Sequence, residues 1–201
     1  PKIGTTIFQW LLDTDRGADY FIRWHRNREM SGSFMNNEAT YHFDLLNWGI
    51  VEVPETVYGA REPFFMQLAV ASTGYMVPTI MLLRSSVILI LMFFCTGISI
   101  EGNMTVEVKY RNGIHLSYSR VSYSPVEGFV VTFHGDKGRL HYEELHRQRT
   151  RIDKTGRAID TDKDQWLSKV TLQKIFEPAV EEVVESSEGG HGGADPQMLE
   201  Y

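Results

Sequence analysis

Residues 104–118 constrain this chain more than any other stretch. Val106, Val108 and Tyr110 alternate with Glu107, Lys109 and Arg111, Asn112-Gly113 intervenes, and Ile114, Leu116 and Tyr118 resume the alternation. Period-two alternation sends successive side chains to opposite faces of a strand, and Asn-Gly tolerates the positive φ angles of a tight reversal. The pattern predicts a β-hairpin closed by a type I′ turn. A second hairpin is expected next, with residues 128–133 and 139–142 flanking Gly135-Asp136-Lys137-Gly138. Adjacent hairpins imply an antiparallel sheet with one face left for helices or another subunit.

Before the hairpins the period changes. Residues 3–12 form an extended run containing Ile7, Phe8 and Trp10, and Arg16-Gly17 breaks it. Ser31-Gly32-Ser33 signals a helix start, after which Met35, Ala39, His42, Phe43, Leu46 and Ile50 recur at helical spacing. Gly49 and Pro54 bracket the end of that helix, and residues 54–60 return to a strand. Residues 146–164 are charged without an apolar period and suggest a solvated loop, whereas 170–176 and 180–184 are strand-like. Gly189-Gly190-His191-Gly192-Gly193 suggests a hinge or lid, and Asp195-Pro196 opens a helix that stops at Tyr201, so a piece of a longer protein is expected.

Composition narrows the classes. A formal charge of -6 argues against a nucleic-acid binder, and one cysteine, Cys95, fits a reducing, cytoplasmic setting. Residues 76–83 and 86–98 are apolar but separated by Arg84-Ser85-Ser86, so neither reaches the ~18 residues of a membrane span. A buried element is the plainer reading, with a membrane or partner contact as the alternative.

His42 and Asp44, two apart on a helix, point to different faces, and no Cys pair or His-x-x-x-His occurs, so no metal site is expected. No Gly-x-Gly-x-x-Gly stands between a strand and a helix. Asp13, Asp15 and Asp19 form a solvated acidic cluster. The densest polar constellation is Arg23-Trp24-His25-Arg26, followed by the helix bearing Asn37, Glu38, Tyr41, His42 and Asp44. Arg and His donate hydrogen bonds to a hydroxylated or carboxylated ligand, and Trp walls a sugar ring. His42 suits general acid–base work near neutral pH, but it shares a helical face with Met35, Ala39 and Leu46, as a core histidine would.

Residues 17–26, Ser31-Gly32 and residues 39–48 together resemble the start of the C-terminal domain in one branch of the Gfo/Idh/MocA oxidoreductases. Tyr110-Arg111-Asn112-Gly113, residues 135–140 and residues 189–196 resemble later pieces of that domain, in the same order. The resemblance covers residues 1–62, 104–143 and 170–201, and residues 63–103 stand out as a divergent apolar insertion. It implies an α/β (α+β) fold, a single domain over residues 1–201 with a large, mostly antiparallel sheet and helices on one face. It also implies a homo-oligomer through the sheet, and NAD or NADP held mainly by an N-terminal Rossmann domain outside this chain.

The implied reaction is hydride transfer between a sugar, polyol or related substrate and the nicotinamide. His42 and Tyr41 are the implied catalytic residues, with Arg23, Trp24, His25, Arg26, Asn37 and His191 binding substrate. The sequence departs from the family where proton transfer is expected: Asn37 replaces its usual Asp and Tyr41 its usual His. A phenol is a poorer general base than an imidazole near neutral pH, and an amide is none. A catalytically degenerate sugar-binding or assembly protein on the same fold is therefore the alternative.

Overall fold

The computed structural model describes residues 1–13, 17, 20–21, 23–62, 98–124, 126–148, 151–152, 158–159 and 167–184. His191 and its glycine-rich neighbours, Cys95, and residues 76–97 of the apolar runs lie outside these residues.

Strand β1 (Ile3–Asp13) is followed by a 3-10 turn (Trp24–Arg26), helix α1 (Arg28–Ser31), a π-turn (Met35–Ala39) and helix α2 (Thr40–Ile50). Then come β2 (Pro54–Glu62), β3 (Asn103–Tyr110), β4 (His115–Ser124), β5 (Val126–Gly135), β6 (Gly138–Gln148), β9 (Leu167–Lys174) and β10 (Val180–Val184), with a short ribbon of β7 (Arg151–Ile152) and β8 (Ala158–Ile159) between β6 and β9. The main sheet has eight strands in the order β10-β9-β6-β5-β1-β4-β3-β2. All its neighbours are antiparallel except β1 and β4, which run parallel. This is the large, mostly antiparallel sheet expected from the hairpins.

The alternation sorts residues onto two faces. Thr6 and Phe8 of β1, Leu116 and Tyr118 of β4, and Val106 and Val108 of β3 are buried on one face. Helix α2 covers it with His42, Leu46 and Ile50. The other face carries Glu107, Lys109, Ser117, Thr132 and His141, with Ile7 exposed among them.

Four local expectations are corrected. Lys109 pairs with His115, and Tyr110 N–H donates to the Ile114 carbonyl, leaving a three-residue loop in which only Gly113 has positive φ (87°). This is a bulged turn, not type I′. Ser31 ends α1 and Gly32, at φ 71°, caps it, so the helix start lies at Phe34. Gly49 lies within α2, which closes on Val51 in the left-handed region. Within the proposed loop at 146–164, residues 146–148 belong to β6, whose pairing with β5 runs on to Gln148, and 151–152 pair with 158–159, while its other residues lie outside the described ones. A Cβ at Gly113 would meet nothing within 4 Å. Gly113→Ala is therefore expected to cost only the backbone term, about 1 kcal/mol in urea unfolding.

Candidate functional site

The Arg23–Arg26 segment is held from outside its own sequence. Ser99 N–H donates to the Arg26 carbonyl at 2.9 Å, and Arg28 N–H donates to Ser99 Oγ at 2.8 Å. The Arg28 guanidinium bonds the buried Glu101 carboxylate at 3.1 Å. Residues 98–103, from the tail of the apolar stretch, thus brace the turn and lead into β3. Within the turn His25 stacks on the half-exposed Trp24, with ring centroids 4.0 Å apart. Its Nδ1 is buried without a hydrogen-bond partner among the described residues.

Tyr20 joins this turn to the helix. Its ring meets His25 at 5.0 Å, and its hydroxyl donates to Glu38 Oε1, beside Asn37. Asn37 is partly buried in the π-turn, and Tyr41 lies four residues on, one turn along the same helix. Tyr41 points outward at 74% exposure, above a stripe continued by Leu45 and Trp48. The structure thus links Trp24, His25 and the Asn37 region through Tyr20, while Tyr41 shares the helix with Asn37.

His42 is on the other side. It is 8% exposed, and its ring packs against Trp10 at 4.3 Å and Phe8 at 5.0 Å. Its Nδ1 lies 3.0 Å from the Tyr118 hydroxyl, which is itself buried. Burial, reinforced by the Arg120 charge, lowers the imidazole to about 4, so it is neutral at physiological pH. Tyr41 and His42 are adjacent in sequence, but one faces out and the other faces the sheet, so a single ligand does not meet both.

The structure also brings in Tyr20, Tyr118 and Arg120, which the sequence reading did not single out. For Arg120 a signal existed: it continues the inward row Leu116, Tyr118, where a charge is out of place. Tyr20 had none, since its partner Glu38 is reached only through the fold. Among the described residues, no group of three or more His, Cys, Asp or Glu side chains is placed to hold a metal, and no helix is long and apolar enough to cross a membrane. An open cavity of about 320 Å³ lies at the β5–β6 turn, lined in part by His134, Arg139, Lys174 and Phe176. None of the candidate residues lines it.

This sheet, with helices on one face, is the α/β architecture of solved oxidoreductases. An aldose-aldose oxidoreductase from Caulobacter crescentus complexed with glycerol matches 98% of this chain and 44% of its own, at a TM-score of 0.55 and 12% identity. A levoglucosan dehydrogenase in complex with NADH and L-sorbose matches 91% of this chain and 39% of its own, at a TM-score of 0.53 and 12% identity. At such identities the likeness is one of fold. The model of the oxidoreductase family's C-terminal alpha/beta domain matches residues 3–200, and the chain belongs to the Gfo/Idh/MocA oxidoreductase family. The Bacillus subtilis (strain 168) protein YteT, named as an oxidoreductase, is 28% identical over 236 aligned positions. That alignment takes in 99% of this chain, which spans about half (53%) of the length of YteT.

Proposed function

We propose that this chain is the substrate-binding half of an NAD(P)-dependent oxidoreductase that acts on a sugar, polyol or related hydroxylated substrate by hydride transfer. The observation that carries the reading is the family match over residues 3–200. The relatives bound to glycerol, or to NADH and L-sorbose, support the substrate and cofactor classes. Among the described residues no glycine-rich strand-to-helix turn offers a cradle for a dinucleotide pyrophosphate, so the cofactor is assigned to another part of the protein. The nicotinamide supplies hydride chemistry, and this chain holds the substrate and manages its proton.

Within that division, Trp24 offers an apolar wall and Asn37 donates to and accepts from substrate hydroxyls. Tyr41 exchanges a proton with the reacting oxygen. Arg23, His25 and Arg26, with His191, complete the binding set in this reading. His42 acts indirectly, as the packed neighbour that fixes the inner face of α2. The outward stripe Tyr41, Leu45 and Trp48 makes α2 apolar on two sides, as suits a helix held between two layers. The cofactor-binding part is the second layer. Self-association through the open sheet face and a cytoplasmic setting belong to the same reading.

The test uses the gene's full product, incubated with NAD or NADP and a panel of aldoses and polyols while the absorbance of reduced nicotinamide is followed. Turnover of at least one panel member is expected. Tyr41→Phe should lower kcat by roughly 10²-fold or more, the usual scale for a lost general acid or base, with a smaller change in KM. Nicotinamide binding without turnover, and sugar binding unaltered in Tyr41→Phe, would instead favour the degenerate sugar-binding protein that Asn37 suggests.

A further inference from the structure

Arg120 stands at an inward position of β4 and is 1% exposed. A guanidinium there has lost its water, and burying a charge is costly unless its donors are used. Among the described residues its one hydrogen bond runs from Nη1 to the Phe34 carbonyl, at 3.2 Å, while Nε and Nη2 are buried without partners. The guanidinium carbon also sits 3.9 Å from the centre of the Phe34 ring and 5.6 Å from that of Tyr20. Close approach to the face of a desolvated ring is a strong cation–π geometry. Arg120 therefore makes its closest contacts with Phe34, meeting both the ring and the backbone, with the Tyr20 ring farther off.

Phe34 is the residue on which the helix begins. Gly32 and Ser33 before it take φ of 71° and 84°, and Ser33 is a buried non-glycine residue in the left-handed region. Such a conformation persists only where its surroundings hold it. Immediately after Phe34 the chain makes the π-turn Met35–Ala39 instead of entering an α-helix directly. A side-chain donor on a first-turn carbonyl competes with the helical ladder and opens the turn. The widened turn sets the aim of Asn37 and Glu38 relative to Tyr41, which follows in regular helix.

We infer that Arg120 is a positioning residue, clamping the ring and carbonyl of Phe34 so that the π-turn presents Asn37 to the substrate alongside Tyr41. This rests on the reading that Asn37 and Tyr41 face the substrate. Arg120 does not touch the ligand. Its effect passes through Phe34.

The test is a double-mutant cycle on the gene's full product, read as kcat/KM for the panel aldose turned over fastest, with NADH affinity by fluorescence as a control. Arg120→Lys keeps the charge but loses the planar grip. It should lower kcat/KM roughly tenfold or more, as small misplacements of binding groups do, and leave NADH affinity unchanged. Asn37→Ala should cost a similar factor alone and almost nothing further in the Arg120→Lys background, because the second change removes a contact already misplaced. Amide hydrogen exchange at residues 35–41 should accelerate in Arg120→Lys while that of β3 and β4 stays protected. Full multiplicative loss in the double variant, or unchanged exchange at the π-turn, would overturn the inference. An Asn37→Ala protein with undiminished kcat/KM would instead overturn the site reading beneath it. If Arg120→Lys does not fold, Phe34→Leu removes the ring and spares the arginine, and the same non-additivity with Asn37→Ala is expected.

Discussion

Acidification from about pH 6.5 to about pH 4 is expected to remove roughly 3 kcal/mol of folding stability through His42 alone. In the native state the imidazole stays neutral down to about 4, because burial against Phe8 and Trp10 penalises its charge and Arg120 repels it. In the unfolded chain the same ring takes up a proton near the ordinary value of 6.5. Between those two values the unfolded state binds more protons, so stability rises with pH across that window. The contribution is complete above about pH 6.5, is lost progressively as pH falls, and levels off below about 4. Urea unfolding at several pH values checks it, with His42→Gln as the partner variant. The glutamine is expected to lower stability at neutral pH and to flatten the acid limb relative to the wild type. Parallel pH profiles would mean that the imidazole protonates freely in the folded state and is open to solvent. The same experiment bears on the chemistry, since a histidine neutral to about 4 is a weak base.

The second large effect is expected at Gly138, where β6 leaves its turn at φ 151°. A Cβ built there would fall 2.2 Å from the Gln173 carbonyl oxygen and 2.8 Å from Lys174 Cα, both main-chain atoms of β9. Backbone cannot move aside as the end of a flexible side chain can, so β6 and β9 must separate where Gly138 pairs with Lys174. Strain at the residue and overpacking against the neighbouring strand together put the cost of Gly138→Ala at roughly 2–5 kcal/mol. Denaturant unfolding measures it, and a loss under about 1 kcal/mol would show that this end of the β6–β9 ladder yields without penalty. Gly113, with open space around it, is the control that isolates the backbone term.

Much of the sheet could be read from period-two alternation, and even the corrected turn was implicit in it. Val106, Val108, Tyr110, Ile114, Leu116 and Tyr118 all face inward, so the strands must pair Val108 with Leu116 and close over an odd-numbered loop. A two-residue Asn-Gly turn would have set outward Lys109 against inward Leu116. Asn-Gly serves either loop, and the parity of the flanking pattern decides between them. The burial of His42 was likewise legible from its helical face shared with Leu46. What could not be read was any contact made across the chain: Tyr20 with Glu38, His42 with Tyr118, Arg120 with Phe34. The last two depend on β4 lying beneath the helix and the first on how residues 20–38 fold back on themselves, which no local period encodes.

The placement of β1 has a consequence for how the molecule assembles. Strands β4 and β5 follow each other in sequence yet do not pair, because β1 lies between them. Strand β1 is thus the seam of the sheet: without it, β2-β3-β4 and β5-β6-β9-β10 are two separate ribbons. Each ribbon can form early from contacts near in sequence, but the seam closes only when residues 3–13 meet partners more than 100 positions away. Loop closure of that length makes a slow final step, during which both ribbons present unpaired edges. Crowded synthesis of this chain therefore favours edge-to-edge aggregation between half-assembled copies.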